Sequence, residues 1–124
     1  MSTEFSNSEA LLLNAVDTKL YPKLVAQLEK DFGLANVPID LKSNTPLKSV
    51  PPAVLKTTLH EKIYFLIMEK FTDYLNLLYM VDVPEKSFKS IAVTDVVEVA
   101  EQVSFMILKR ELQKVWLRER YSHE

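Results

Sequence analysis

Few ionisable side chains stand at spacings that catalysis or metal binding uses. The histidines are His60 and His123. His60-Glu61 has the opening pair of the zinc-protease pattern H-E-x-x-H, in which two histidines one helical turn apart hold the metal. The position of the second histidine is held by Tyr64, so the ligand pair is incomplete. His123 stands beside the C-terminus, where side chains are usually mobile. Di-iron bundles use Glu-x-x-His on two helices. Here Thr57 and Arg120 occupy the positions three residues before the histidines. Glu69 with Asp73, and Glu98 with Glu101, are spaced to share a helix face. That suits a carboxylate metal site, but also a solvated face, and Lys70 lies beside the first pair.

The cations are more concentrated. Residues 107 to 121 read ILKRELQKVWLRERY, with five basic residues, two aromatics and two acids. Arg110, Lys114 and Arg118 are four apart and form a basic ridge on a helix. Such a ridge can contact phosphates, meet an acidic protein partner, or make ion pairs within its own chain. Glu111 and Glu119 interrupt the positive field, and Glu111 can pair with Lys114. The whole chain carries a net charge of −2, so nucleic acid is disfavoured. Trp116 shares a face with Leu112 and reads as packing, with Arg120 placed to stack on it.

Composition removes further classes. There is no cysteine, which excludes disulfides, thiol catalysis and cysteine–zinc sites. Gly33 is the only glycine. A phosphate loop, a dinucleotide fingerprint and a G-x-S-x-G elbow are therefore impossible. No cofactor, metal site or catalytic group is expected. The chain of 124 residues is 48% hydrophobic and 26% charged, as in an ordinary globular domain. The longest apolar run, IYFLIM at 63–68, is far short of the ~20 residues that span a bilayer. The start, MSTEFSNSEA, lacks the basic and apolar regions of a signal peptide. A soluble, cytoplasmic protein without a membrane partner is expected.

The elements that would position these side chains are helical. Ser6 and Glu9 have capping-box spacing, and apolar residues follow at Leu13, Val16 and Leu20, then Val25, Leu28 and Phe32. Pro22 either kinks this helix or starts a second one. Gly33 is placed as a left-handed C-terminal cap. Residues 33–52 hold four prolines and form a connector that Val37, Ile39, Leu41 and Leu47 can pin to the core. A long helix is expected over 53–81 and another over 94–120, the latter capped by Thr94. The fold is all-α: one domain over 1–124, an irregular bundle of four to five helices, two of them long.

Both long helices change their apolar face. Leu55, Leu59, Ile63 and Leu66 share one line, whereas Phe71, Tyr74 and Leu78 lie roughly 110° away. IYFLIM between them covers nearly the whole circumference and should be buried all round. Val96, Ala100, Val103 and Ile107 share a line in the last helix. Leu108, Leu112, Val115 and Trp116 lie roughly 130° from it, and Arg110, Lys114 and Arg118 continue the first line instead. Either each helix breaks, or each half meets a different neighbour, and a second subunit supplies one readily.

The segments YLNLLYMVDV, residues 74–83, and LKRELQKVWLRERY, residues 108–121, resemble small uncharacterised helical proteins of bacteria. The resemblance implies a helical fold in a bacterial cytosol and carries no activity or site.

The expected function is therefore non-enzymatic: an interaction or scaffold protein that self-associates, as a dimer, through Phe71, Tyr74, Leu78, Leu108, Leu112, Val115 and Trp116. One alternative is a nucleic-acid-associated protein using the basic ridge. Another is a small-molecule-binding bundle with His60, Glu61 and Tyr64 lining a pocket.

Overall fold

A computed structural model describes residues 4–41, 50–92 and 94–122. Its helices are α1 (Ser8–Asp17), α2 (Tyr21–Leu34), α3 (Pro52–Glu69), α4 (Phe71–Val81), α5 (Glu85–Lys89) and α6 (Val96–Ser122). No strand occurs among the described residues. The fold is the all-α bundle expected, with six helices among the described residues rather than four to five, because the first long helix is divided into α3 and α4. No helix among the described residues is long and apolar enough to cross a membrane.

α6 is the axis of the bundle. It packs most extensively on α3 and also on α1, α2 and α4, while α4 packs on α2 and α3. One core runs through them all, from Leu11 and Leu12 through Leu24, Leu28 and Phe32 to Leu59, Ile63, Ile107 and Leu112. The connector joins it by alternation. Ala35, Val37, Ile39 and Leu41 are buried, with exposed residues between them, as an extended strip lying on the core requires. Val50 donates to the Leu41 carbonyl at 3.3 Å, and Tyr21 donates its hydroxyl to the Val50 carbonyl. Leu47 and His123 lie outside the described residues.

The helix ends differ from those expected. Asn7, rather than Ser6, caps α1 by accepting from the Ala10 amide at 2.8 Å. Asparagine caps as well as serine does, and Glu9 is engaged by Lys56 on α3. Pro22 lies in the first turn of α2, so it opens a second helix. Gly33 is an interior helical residue with nothing within 4 Å of where a Cβ would stand. The left-handed position after α2 belongs to Asn36, with φ 62°. Lys19 after α1 (φ 64°) and Asp82 after α4 (φ 66°) do the same.

All three ends carry the paired hydrogen bonds of a Schellman motif. Leu20, Val37 and Val83 donate to Ala15, Phe32 and Leu78, and Lys19, Asn36 and Asp82 to Val16, Gly33 and Tyr79. Asp95, rather than Thr94, caps α6 by accepting from the Glu98 amide at 2.9 Å.

Candidate functional site

The two expected changes of face have different structural origins. On the first helix the chain breaks at Lys70, which has φ −140° and ψ 60°. Its amide still donates to Leu66 at 2.9 Å, and its carbonyl accepts from Tyr74 at 3.0 Å. Leu55, Leu59, Ile63 and Leu66 are buried on α3, and Tyr74, Leu77, Leu78 and Val81 on α4. IYFLIM is not buried all round: Tyr64, Phe65 and Met68 are exposed. Its apolar density supplies an outer surface as well as a core.

α6 does not break, and its face does not change. Ala100, Val103, Ser104, Ile107, Leu108, Glu111, Leu112 and Val115 are all buried. They form one band about 180° wide, with Ser104 and Glu111 along its middle. The apolar residues on either side read as two separate stripes because the positions joining them are polar. Leu108, Leu112 and Val115 are at most 1% exposed, and Tyr74 and Leu78 on α4 are 7% exposed. Of the seven interface candidates, Phe71 is exposed, Trp116 is half-buried, and Tyr74 and Leu78 line a surface groove.

The polar residues of that band form a cluster with α2. Glu111 is 0% exposed and Asp31 is 5% exposed. Both carboxyl groups approach the same lysine. Lys114 Nζ lies 2.8 Å from Asp31 Oδ2 and 3.5 Å from Glu111 Oε1. Gln27 donates to Asp31 Oδ2 at 3.1 Å and accepts from Arg118. Burial, reinforced by the hydrogen bond with Asp31, pushes the Glu111 carboxyl up to about 9, and Lys114 opposes this. Burial also raises Asp31, but hydrogen bonds from Glu111, Lys114 and Gln27 outweigh it and hold that carboxyl below its usual 3.8.

The side chains of the basic ridge therefore hold partners within the chain, although Arg118 is itself exposed. Lys114 serves Asp31 and Arg118 serves Gln27. Arg110 donates to the Asp82 carbonyl and carboxylate, both at 3.0 Å, and to Gln113 at 2.7 Å. Neighbouring Lys109 reaches Glu4 at 3.3 Å, and Lys23 on α2 pairs with Glu119. Arg120 lies over the Trp116 ring at 5.5 Å. These bonds tie α6 to α2 and to the end of α4. Sequence reading paired Glu111 with Lys114 but missed its burial. The available clue was its position, one turn beyond Ile107 on the apolar line.

The histidine candidate occupies a structural position. His60 Nε2 is 3.1 Å from the Val97 carbonyl and joins α3 to the start of α6. Glu61 and Tyr64 are exposed. Glu69 and Asp73 are separated by the break at Lys70, so they do not share a helix face. Among the described residues no three His, Cys, Asp or Glu side chains gather as a metal site would need.

Exposed apolar side chains also line the outer side of α4. Phe71, Leu75 and Tyr79 form a four-residue ladder on the outer side of α4, and Tyr79 is 84% exposed. Phe71 packs its ring on Tyr74 with centroids 5.4 Å apart. Bordering the ladder is a groove of about 500 Å³ lined by Tyr74, Leu75, Leu78, Tyr79, Val83, Glu85, Phe88 and Ile91. The surface element of α4 is thus the line through Leu75 and Tyr79, one residue round from the expected line through Tyr74 and Leu78.

No family model, curated protein or solved structure matches the chain significantly.

Proposed function

We propose that the protein is a non-enzymatic interaction module that self-associates as a two-fold dimer through α4 and the groove beside it. The carrying observation is the outward ladder of Phe71, Leu75 and Tyr79 next to an apolar groove. A two-fold interface uses the same patch on both copies, so the patch must be self-complementary. This one has both a protruding tyrosine and a depression able to receive one. Tyrosine and phenylalanine are also enriched at interface cores. Charge favours an antiparallel crossing of the two α4 helices. Lys70 precedes α4 and Glu85 follows it, so each lysine would approach the partner's Glu85. A cysteine-free chain with a resemblance to bacterial helical proteins fits a bacterial cytoplasm.

The basic ridge supports neither a nucleic-acid nor an acidic-protein reading as well. Its three side chains already hold partners within the chain, and an outside anion would have to displace them.

Light scattering coupled to gel filtration tests the dimer. The expected mass is that of two chains for the wild type, and of one chain for Leu75→Lys/Tyr79→Lys with an unchanged circular dichroism spectrum. A wild-type monomer at millimolar concentration, or a double variant that still dimerises, overturns the proposal.

A further inference from the structure

The α2–α6 cluster contains two buried carboxyl groups facing a single half-buried cation. Among the described residues no donor group gives a hydrogen bond to Glu111 Oε2. An ionised carboxylate left so in the interior, away from water, is costly. The carboxyl beside it belongs to Asp31, whose Oδ2 already accepts from Lys114 and Gln27. One proton resolves this arrangement. Carried by Glu111, it turns an unsatisfied acceptor into a donor to Asp31. The pair then bears one negative charge, balanced by Lys114.

We propose that folding leaves one proton held between the Asp31 and Glu111 carboxyls, and that this proton fastens α2 to α6 as a pH-sensitive latch. The groups facing the pair come from the two helices it joins. From α2 these are Asp31 itself and Gln27. From α6 they are Lys114 and, through Gln27, Arg118. The ion pairs of the other elements lie elsewhere: Lys56 with Glu9 and Glu101, Lys109 with Glu4, and Arg110 with Asp82. When the proton leaves to solvent, two carboxylates share one lysine inside the bundle, and the α2–α6 seam is driven apart.

The direction of the pH dependence follows. Glu111 titrates near its ordinary 4.5 when unfolded and near about 9 when folded. The native state therefore holds an extra proton through that window. The stabilisation is full at acid pH and is lost as pH rises towards 9. Asp31 has the opposite sense: its contribution is lost only as pH falls below 3.8. Between pH 6 and 9 the Glu111 proton dominates.

Urea unfolding of the full chain, followed by Trp116 fluorescence from pH 6 to 9, tests the latch. The unfolding constant should rise about tenfold per pH unit for one proton. Glu111→Gln keeps a donor for Asp31 but cannot titrate, so it should abolish most of that slope. A wild-type unfolding constant that does not vary with pH overturns the proposal. So does a Glu111→Gln protein that keeps the wild-type slope. Infrared spectroscopy decides the case if the variant does not fold. Wild-type protein at neutral pH should show the carbonyl stretch of a buried protonated carboxyl, and its absence overturns the proposal as well.

Discussion

The α3–α4 segment and α6 carry the same pattern in sequence and resolve it in opposite ways. In each, an apolar stripe moves round the helix midway along its length. α3 and α4 part at Lys70, and each half buries its own stripe. α6 continues unbroken for 27 residues and buries everything between its two stripes, including a serine and a glutamate. The difference lies in what meets the bridging residues. Around the break, Glu69 and Lys70 are exposed, and continuing the helix would bury charge without a partner. On α6, Glu111 meets Asp31 and Lys114, so the helix can remain straight. A polar residue in a buried seam is tolerated where a neighbouring helix supplies its hydrogen bonds.

The most direct way to break that comparison is to remove the cation that α6 depends on. Lys114→Met leaves Asp31 buried beside Glu111 without its ion pair. Loss of one partner of a buried pair should cost about 3 kcal/mol, read as a lower urea midpoint. A change within error would show that the cluster does not hold the seam.

A smaller effect should separate the two helices by backbone alone. Glu101 is an exposed interior residue of α6, and its ion pair with Lys56, 3.5 Å long, is exposed and weak. Glu101→Gly should cost about 1 kcal/mol, the usual penalty of glycine in a helix. Lys70→Gly should cost much less, because Lys70 is not helical. Equal losses in chemical denaturation would mean that the break at Lys70 closes in solution.

The smallest effects concern the regular helix ends, where the chain leaves through a left-handed residue, unlike at Lys70. Lys19→Gly relieves a side chain in that conformation. Gly33→Ala adds a methyl to open space inside α2. Each should raise stability by about 0.5–1 kcal/mol, measured as an increase in Tm. A loss for Gly33→Ala would contradict its interior helical position.

Much of the fold was legible because periodicity reports burial. The α3 stripe, the apolar anchors Val37, Ile39 and Leu41, and the all-helical architecture followed from spacing, glycine scarcity and proline placement. The candidate site was less legible. Leu108, Leu112 and Val115 are buried in one seam of α6 that reads in sequence as two faces. Counting Ser104 and Glu111 as members of the seam would have joined them, but a glutamate does not announce its burial. Which side of α4 faces outward depends on its packing against α2 and α3, and that leaves Leu75 and Tyr79 exposed. Neither glycine nor proline stands at Lys70 to mark the break.

Local chemistry determined which segments of this protein are helices and which activities its residues cannot perform, since both depend on side chains a few positions apart. Tertiary structure decided where the first long helix parts, that the basic ridge finds partners within the chain, and that Glu111 and Asp31 share Lys114. Each of those outcomes depends on residues far apart in the chain. Lys114 and Asp31 meet only because α2 and α6 pack together, and burial of both carboxyl groups is a property of that packing.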